Sequence, residues 1–348
     1  MTNLQNASAI VVSHNSSLRA IRFARCRYGY LPWRALSSFD GMSALAHSSA
    51  NEGAIDEAEL VRHGCWNGTD RQSLEVLLSS KGAQRTRRGI CQHVCSRPLP
   101  QGSICEVSRN LYCTSPALTL LQLSATQDLP TALAIAFELC GTFSLSELAT
   151  GPAQALQDLE SPTYHEAEAV LTRTRLIAFL SAMGRGASGR VARTAIRYAL
   201  DGARSPMEAI MAAMLHMPHA YGGFNIAMQL NRKIDFSEAA QAVSGMPYAV
   251  CDAYAPEAHA SVEYNGDHHS EGKARIHDER RKLGLAAMGI ETFTINFEQL
   301  RDVCALESVA QTIYRRMGKQ YRNRTNASRV KQVTLLNGLR RAFGLNPC

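Results

Sequence analysis

Two short apolar runs joined by a turn, with one carboxylate in each, constrain this chain most. Residues 247–256 (PYAVCDAYAP) and 259–266 (HASVEYNG) both read as strands, and Pro256–Glu257 supplies the turn between them. Strand side chains alternate faces, so Glu263 and Asn265 share one face while Val262 and Tyr264 point the other way. A hairpin-like pair of this kind brings Asp252 and Glu263 close together. A polar helix over about 270–288 then ends at Gly289, and the β-branched run IETFTI (290–295) predicts a further strand. Two amphipathic helices follow, near 297–302 and 305–317. Upstream, Ser205 caps a helix with Pro206 at its first position, SPMEAIMAAMLHM. Helix, strand, strand, helix, strand, helix is an α/β order, with one twisted sheet flanked by helices.

The rest of the chain is long enough for a second core. With 348 residues, 45% of them hydrophobic, we expect two domains and a tail: a mixed α/β region over 1–200, the α/β domain over 201–317, and a basic segment over 318–348. In the first region, 8–12 read as a strand and the helix after it, capped by Ser13 or Asn15, runs to about Arg27. A polar stretch covers about 37–57. Leu74, Val76, Leu77 and Leu78 predict a short helix over 70–80. Turns and short strands are expected over 98–116, and helices over ALTLLQLSA, LPTALAIAFELCG, 164–184 and 190–200.

Charge and cysteines narrow the partners. The formal net charge is +7, and from Arg315 to Cys348 there are nine Lys and Arg and no Asp or Glu. That leans toward a polyanion, with the tail as a phosphate-contacting arm. Ten cysteines are too dilute for a disulfide scaffold. The N-terminus lacks the basic start and apolar run of a signal peptide, and no stretch approaches 18 apolar residues. A cytoplasmic chain with free thiols and no membrane partner is expected. Cys91, His93 and Cys95, with Cys105 and Cys113 later, do not have the spacing of a standard zinc knuckle.

Two nearby carboxylates repel unless a cation lies between them, and Mg²⁺ prefers such hard oxygen ligands. On a phosphodiester that metal would orient a water and neutralise developing charge. The run CDAYAPEAHASVEYNGDHH, with HDERRKLGLAAMGIETFTI after it, resembles the PD-(D/E)XK endonuclease-like domains related to very short patch repair endonucleases. Asp252, Glu263, Gly266, His269, Asp278, Arg281, Leu285 and Gly289 follow that family's order, and Glu208 matches the acid of its first helix. The likeness covers about a third of the chain, residues 201–317. It implies a restriction-endonuclease-like fold, with Asp252, Glu263 and Glu208 as ligands of Mg²⁺ or Mn²⁺, DNA as substrate and a homodimeric assembly.

One position departs from the pattern. The family's second motif places a Lys two residues after the acid, and here that residue is Asn265. The resemblance then makes His269 the substitute base or ligand. Lys273 would restore the missing charge if a helix starts near 269, since the two would share a face. Asp278, Arg280 and Arg281 read as a salt-bridged helix face. Over a short stretch around Tyr112, Ser115 and Pro116, the first region also resembles proteins related to abortive-infection (AbiE-type) antitoxins. Three functions stand from the sequence: a metal-dependent endonuclease, a non-catalytic DNA-binding regulator or antitoxin-like protein that keeps the nuclease fold, and a protein-interaction module whose basic tail is incidental.

Overall fold

A computed structural model describes residues 9–51, 56–68, 73–85, 88–146, 162–184, 189–266, 273–323 and 325–348, with backbone only at 273–275. The chain is mixed α/β and forms two compact units: Met1–Leu156 with Thr163–Arg197, and Gln157–Pro162 with Tyr198–Cys348.

In the first unit β1 (Ile10–Val12) leads into α1 (His14–Tyr28), followed by β2 (Arg34–Ala35), α2 (Ser38–Ala46), α3 (Glu57–Arg62), β3 (Leu74–Leu78) and β4 (Ile90–Val94). Next come β5 (Ile104–Ser108), β6 (Leu111–Thr114), α4 (Pro116–Leu123) and α5 (Leu129–Cys140). A small ladder of β7 (Phe143–Leu145) and β8 (Tyr164–Glu166) precedes α6 (Arg173–Ala182) and α7 (Arg190–Tyr198), which ends at the unit boundary. Six strands make one mixed sheet in the order β2-β5-β6-β1-β3-β4.

Residues 74–78 form a strand, not the helix their apolar spacing predicts. β3 is paired with β1 and β4 at its edges, and an apolar cluster covers each of its faces. Leu74, Val76 and Leu78 enter one apolar cluster with Ile10 and Val12. Leu77 enters the other with Val11, Ile104 and Leu118. A strand buried on both faces reads as a continuous apolar run, which periodicity alone cannot separate from a helix. The polar stretch at 37–57 contains α2, whose N-terminus is capped when the Asp40 amide donates to the Ser37 hydroxyl at 3.0 Å.

The second unit begins with α8 (Pro206–His216), β9 (Gln229–Asp235), α9 (Glu238–Ser244), β10 (Tyr248–Ala255) and β11 (Ala260–Asn265). It continues with α10 (Lys273–Ala287), β12 (Glu291–Asn296), α11 (Phe297–Arg301), α12 (Val303–Arg316) and α13 (Asn326–Ala342). The sheet order is β12-β11-β10-β9, antiparallel except for the parallel pair β11 and β12. α8 packs on β10 and β11, and α10 packs on β10 and β12. Between α10 and the sheet lie Phe236, Ala249, Cys251, Tyr254 and Leu285.

Three elements here differ from the sequence expectation. β9 and α9 occupy a stretch that carries little pattern, because β9 is an edge strand with mostly exposed polar residues. The basic segment after 317 contains α13, which packs against α8 and α12. Leu335, Leu336, Leu339 and Phe343 form its buried stripe, and Arg340 is buried with Nε donating to the Asn346 carbonyl at 2.7 Å. These positions recur at helical spacing, so much of the expected tail belongs to the core.

Candidate active site

The acidic residues lie on α8, β10 and β11. β10 and β11 pair at Ala253↔Val262, Tyr254↔Ser261 and Ala255↔Ala260. One residue beyond that ladder, the Asp252 carboxylate accepts the backbone N–H of Tyr264 at 3.0 Å. A side chain thus takes over as acceptor where the recorded pairing ends, and it holds Asp252 against β11. Glu263 is buried beside it. Its Oε1 accepts the Ser261 hydroxyl, and its Oε2 accepts the Arg281 guanidinium at 2.7 Å.

Arg281 reaches the sheet from α10. The same guanidinium donates to the Val250 carbonyl at 3.1 Å and to Asp278 at 2.9 Å, and Lys282 pairs with Asp278 at 2.8 Å. The expected helix-face salt bridge is therefore present, and Arg281 also reaches one of the predicted metal ligands. Arg280 stays exposed. Burial lowers the Arg281 pKa, and the carboxylates of Glu263 and Asp278 more than offset this, so it is raised overall.

Glu208 is held differently. It is the third helical residue after Ser205, and its amide donates to the Ser205 hydroxyl at 3.1 Å. Its Oε2 accepts the Arg204 amide at 3.0 Å and the Asn231 side-chain amide at 3.0 Å. This acid closes the N-terminus of α8 through the amide of the residue before the cap, one place earlier than in a capping box. Asn231 also donates to the Gly202 carbonyl at 2.7 Å and has a positive φ of 47°, a conformation Asn tolerates better than most residues. Burial raises the Glu208 pKa, while the donors around it pull the other way.

The electrostatic outcome falls on Asp252, whose pKa is pushed up to about 7. Burial is the largest cause, followed by the charges of Glu263 and then Glu208; the Tyr264 N–H and Arg281 oppose them. Asp252, Glu263 and Glu208 thus act on one another. They do not form a closed ligand set, however. Among the described residues, the one trio of His, Cys, Asp or Glu with ligand atoms all within 4.8 Å of one another is Glu75, Cys91 and His93, in the first unit. Asp252 and Glu263 still suit a hard cation in donor type, because Mg²⁺ needs only one or two carboxylates and keeps several waters.

Asn265 ends β11 and is exposed. His269 lies outside the described residues. Lys273 is the first residue of α10, so that helix starts four residues after His269; its side chain is outside the description. Arg281 as the partner of Glu263, and Asn231 as the partner of Glu208, are contacts that sequence spacing did not reveal. Comparison with family models, with curated proteins and with solved structures found no match. No helix among the described residues is long and apolar enough to cross a membrane.

Proposed function

We propose that the second unit carries a divalent-cation-dependent phosphodiesterase site that acts on nucleic acid, DNA foremost. One observation carries this reading. Asp252 and Glu263 sit side by side on β10 and β11, and the Glu263 charge helps hold the Asp252 carboxyl up to about 7. A pair that is costly to ionise together favours a cation between its members. The elements around it, α8, β10, β11, α10 and β12, follow the order that the endonuclease-like resemblance implies, with Gly289 just before β12.

In this reading Asp252 and Glu263 hold Mg²⁺ or Mn²⁺, which would polarise a phosphoryl oxygen and lower the pKa of a bound water. Glu208 adds negative charge behind Asp252 and fixes the start of α8. Arg281 orients the Glu263 carboxylate and neutralises it. His269 is proposed as the base, and Lys273, at the first position of α10 rather than a turn into it, as the charge stabiliser. The test is cleavage of supercoiled plasmid with Mg²⁺ or Mn²⁺. Activity in the wild type that is lost in Glu263→Ala supports the reading; no cleavage, or cleavage undiminished in Glu263→Ala, sinks it.

Two observations favour a second reading, a nucleic-acid-binding protein without catalysis. Asn265 provides no positive charge where the family has Lys, and Arg281 already serves Glu263. That protein would bind DNA with an affinity falling steeply with salt, and Asp252→Asn would leave binding intact.

A further inference from the structure

A separate cluster lies in the first unit, on β3 and β4. These strands pair in parallel, with Glu75 opposite Cys91 and Leu77 opposite His93. Cys91 and His93 are two residues apart on the same strand, so they project from one face. Glu75 meets them from the neighbouring strand. Cys91 Sγ lies 3.5 Å from His93 Nε2, and His93 Nε2 lies 3.4 Å from Glu75 Oε1.

The nitrogen–oxygen separation is long for a hydrogen bond, which centres near about 2.9–3.0 Å, whereas 3.5 Å is ordinary for a contact to sulfur. Both separations match the edges of a coordination tetrahedron. Bonds of about 2.3 Å to sulfur and about 2.0 Å to nitrogen and oxygen, at tetrahedral angles, set ligand atoms roughly 3.3–3.5 Å apart. A single imidazole nitrogen facing both a thiol and a carboxylate also satisfies only one of them by a hydrogen bond, whereas a metal ion serves all three.

The surroundings hold the ligands in place. Glu75 Oε2 accepts the Asn15 amide at 2.5 Å and the Ser16 amide at 3.3 Å, at the start of α1. Its Oε1 is thereby turned toward His93. The His93 ring stacks on His14, with centroids 3.5 Å apart and planes 19° from parallel. Such outer contacts orient ligands in built metal sites. Glu75 and Cys91 also line a cavity of about 440 Å³, together with Asn15, Arg19 and Ser73.

We propose that Glu75 Oε1, Cys91 Sγ and His93 Nε2 bind a zinc-class transition-metal ion, whose fourth position faces this cavity. Mixed sulfur, nitrogen and oxygen donors suit Zn²⁺ rather than Mg²⁺ or Ca²⁺. Three protein ligands with one position left to water or a small ligand is the pattern of a reactive or ligand-binding site rather than a closed structural one.

The experiment uses the full chain, with Zn²⁺ and Co²⁺ as probes. After dialysis against Zn²⁺ and removal of free metal, elemental analysis should find one zinc per chain in the wild type and in Cys304→Ser. Cys91→Ser and His93→Ala, with unchanged circular dichroism, should lose at least tenfold in affinity. Co²⁺ should give a thiolate charge-transfer band that vanishes in Cys91→Ser. Should those variants fail to fold, alkylation of the wild type decides: Zn²⁺ should protect Cys91 while Cys304 and Cys348, both exposed, stay reactive. Zinc content equal in wild type and Cys91→Ser, or labelling of Cys91 unchanged by Zn²⁺, would overturn the assignment.

Discussion

Replacing Asp252 by Asn tests the electrostatics of the acidic site without any substrate. Asn keeps an acceptor oxygen for the Tyr264 amide and cannot ionise. The Asp252 pKa stands at about 7 in the folded chain, against 3.8 ordinarily. At about 1.4 kcal/mol per pKa unit, the full shift corresponds to roughly 4 kcal/mol at high pH.

The sign follows from the direction of the shift. A pKa raised on folding means that the favourable contribution is complete below pH 3.8 and is lost as pH rises through about 7. Asp252→Asn should therefore match the wild type near pH 4 and exceed its stability at pH 8. Millimolar Mg²⁺ at pH 8 should close the gap by stabilising the ionised wild-type pair. Both tryptophans, Trp33 and Trp66, lie in the first unit, so their fluorescence does not report on this site. The assay is hydrogen exchange of peptides spanning β10 and β11, compared between the two proteins at each pH. A stability difference independent of pH, or a variant less stable than wild type at pH 8, would refute the reasoning.

Three further substitutions test the packing. Glu138→Ala should destabilise the first unit by about 3–5 kcal/mol, because the buried Glu138 carboxylate pairs with Arg22 at 2.6 Å and accepts the Leu145 N–H at 3.0 Å. Urea unfolding followed by tryptophan fluorescence measures it. Arg281→Met should cost the second unit about 2–4 kcal/mol by leaving the buried Glu263 without its cation, and Mg²⁺ should return part of that in the same exchange experiment. Gly284→Ala should loosen α10 by about 1–3 kcal/mol, since an added Cβ would stand 2.1 Å from the Phe236 ring; faster exchange in α10 is the expected readout.

The legible parts of the chain were those whose burial is one-sided or whose turns have their own chemistry. β10, β11 and β12 declared themselves through apolar and β-branched runs, and α8 through Ser205, Pro206 and Glu208. β3 misled because a strand covered on both faces has no period of two. β9 was silent because an exposed edge strand such as Gln229–Asp235 buries little. In the C-terminal segment, nine basic residues drew attention from the buried stripe of Leu335, Leu336 and Leu339.

The sites divide in the same way. Asp252 and Glu263 were readable because both belong to one hairpin. The Arg281 contact with Glu263 needs α10 to be docked on the sheet before it exists. Glu75 joins Cys91 and His93 only through the register of two parallel strands, and no spacing along the chain expresses that register.

Binding of Mn²⁺ at pH 7.5, followed by the loss of the free-ion paramagnetic resonance signal, tests the Asp252–Glu263 pair most directly. A Cys91→Ser background keeps the first unit's cluster from contributing. The account predicts binding that tightens as pH rises through about 7, the pKa of Asp252, and that falls at least tenfold in Glu263→Gln. Mn²⁺ affinity equal in the parent and in Glu263→Gln would contradict it.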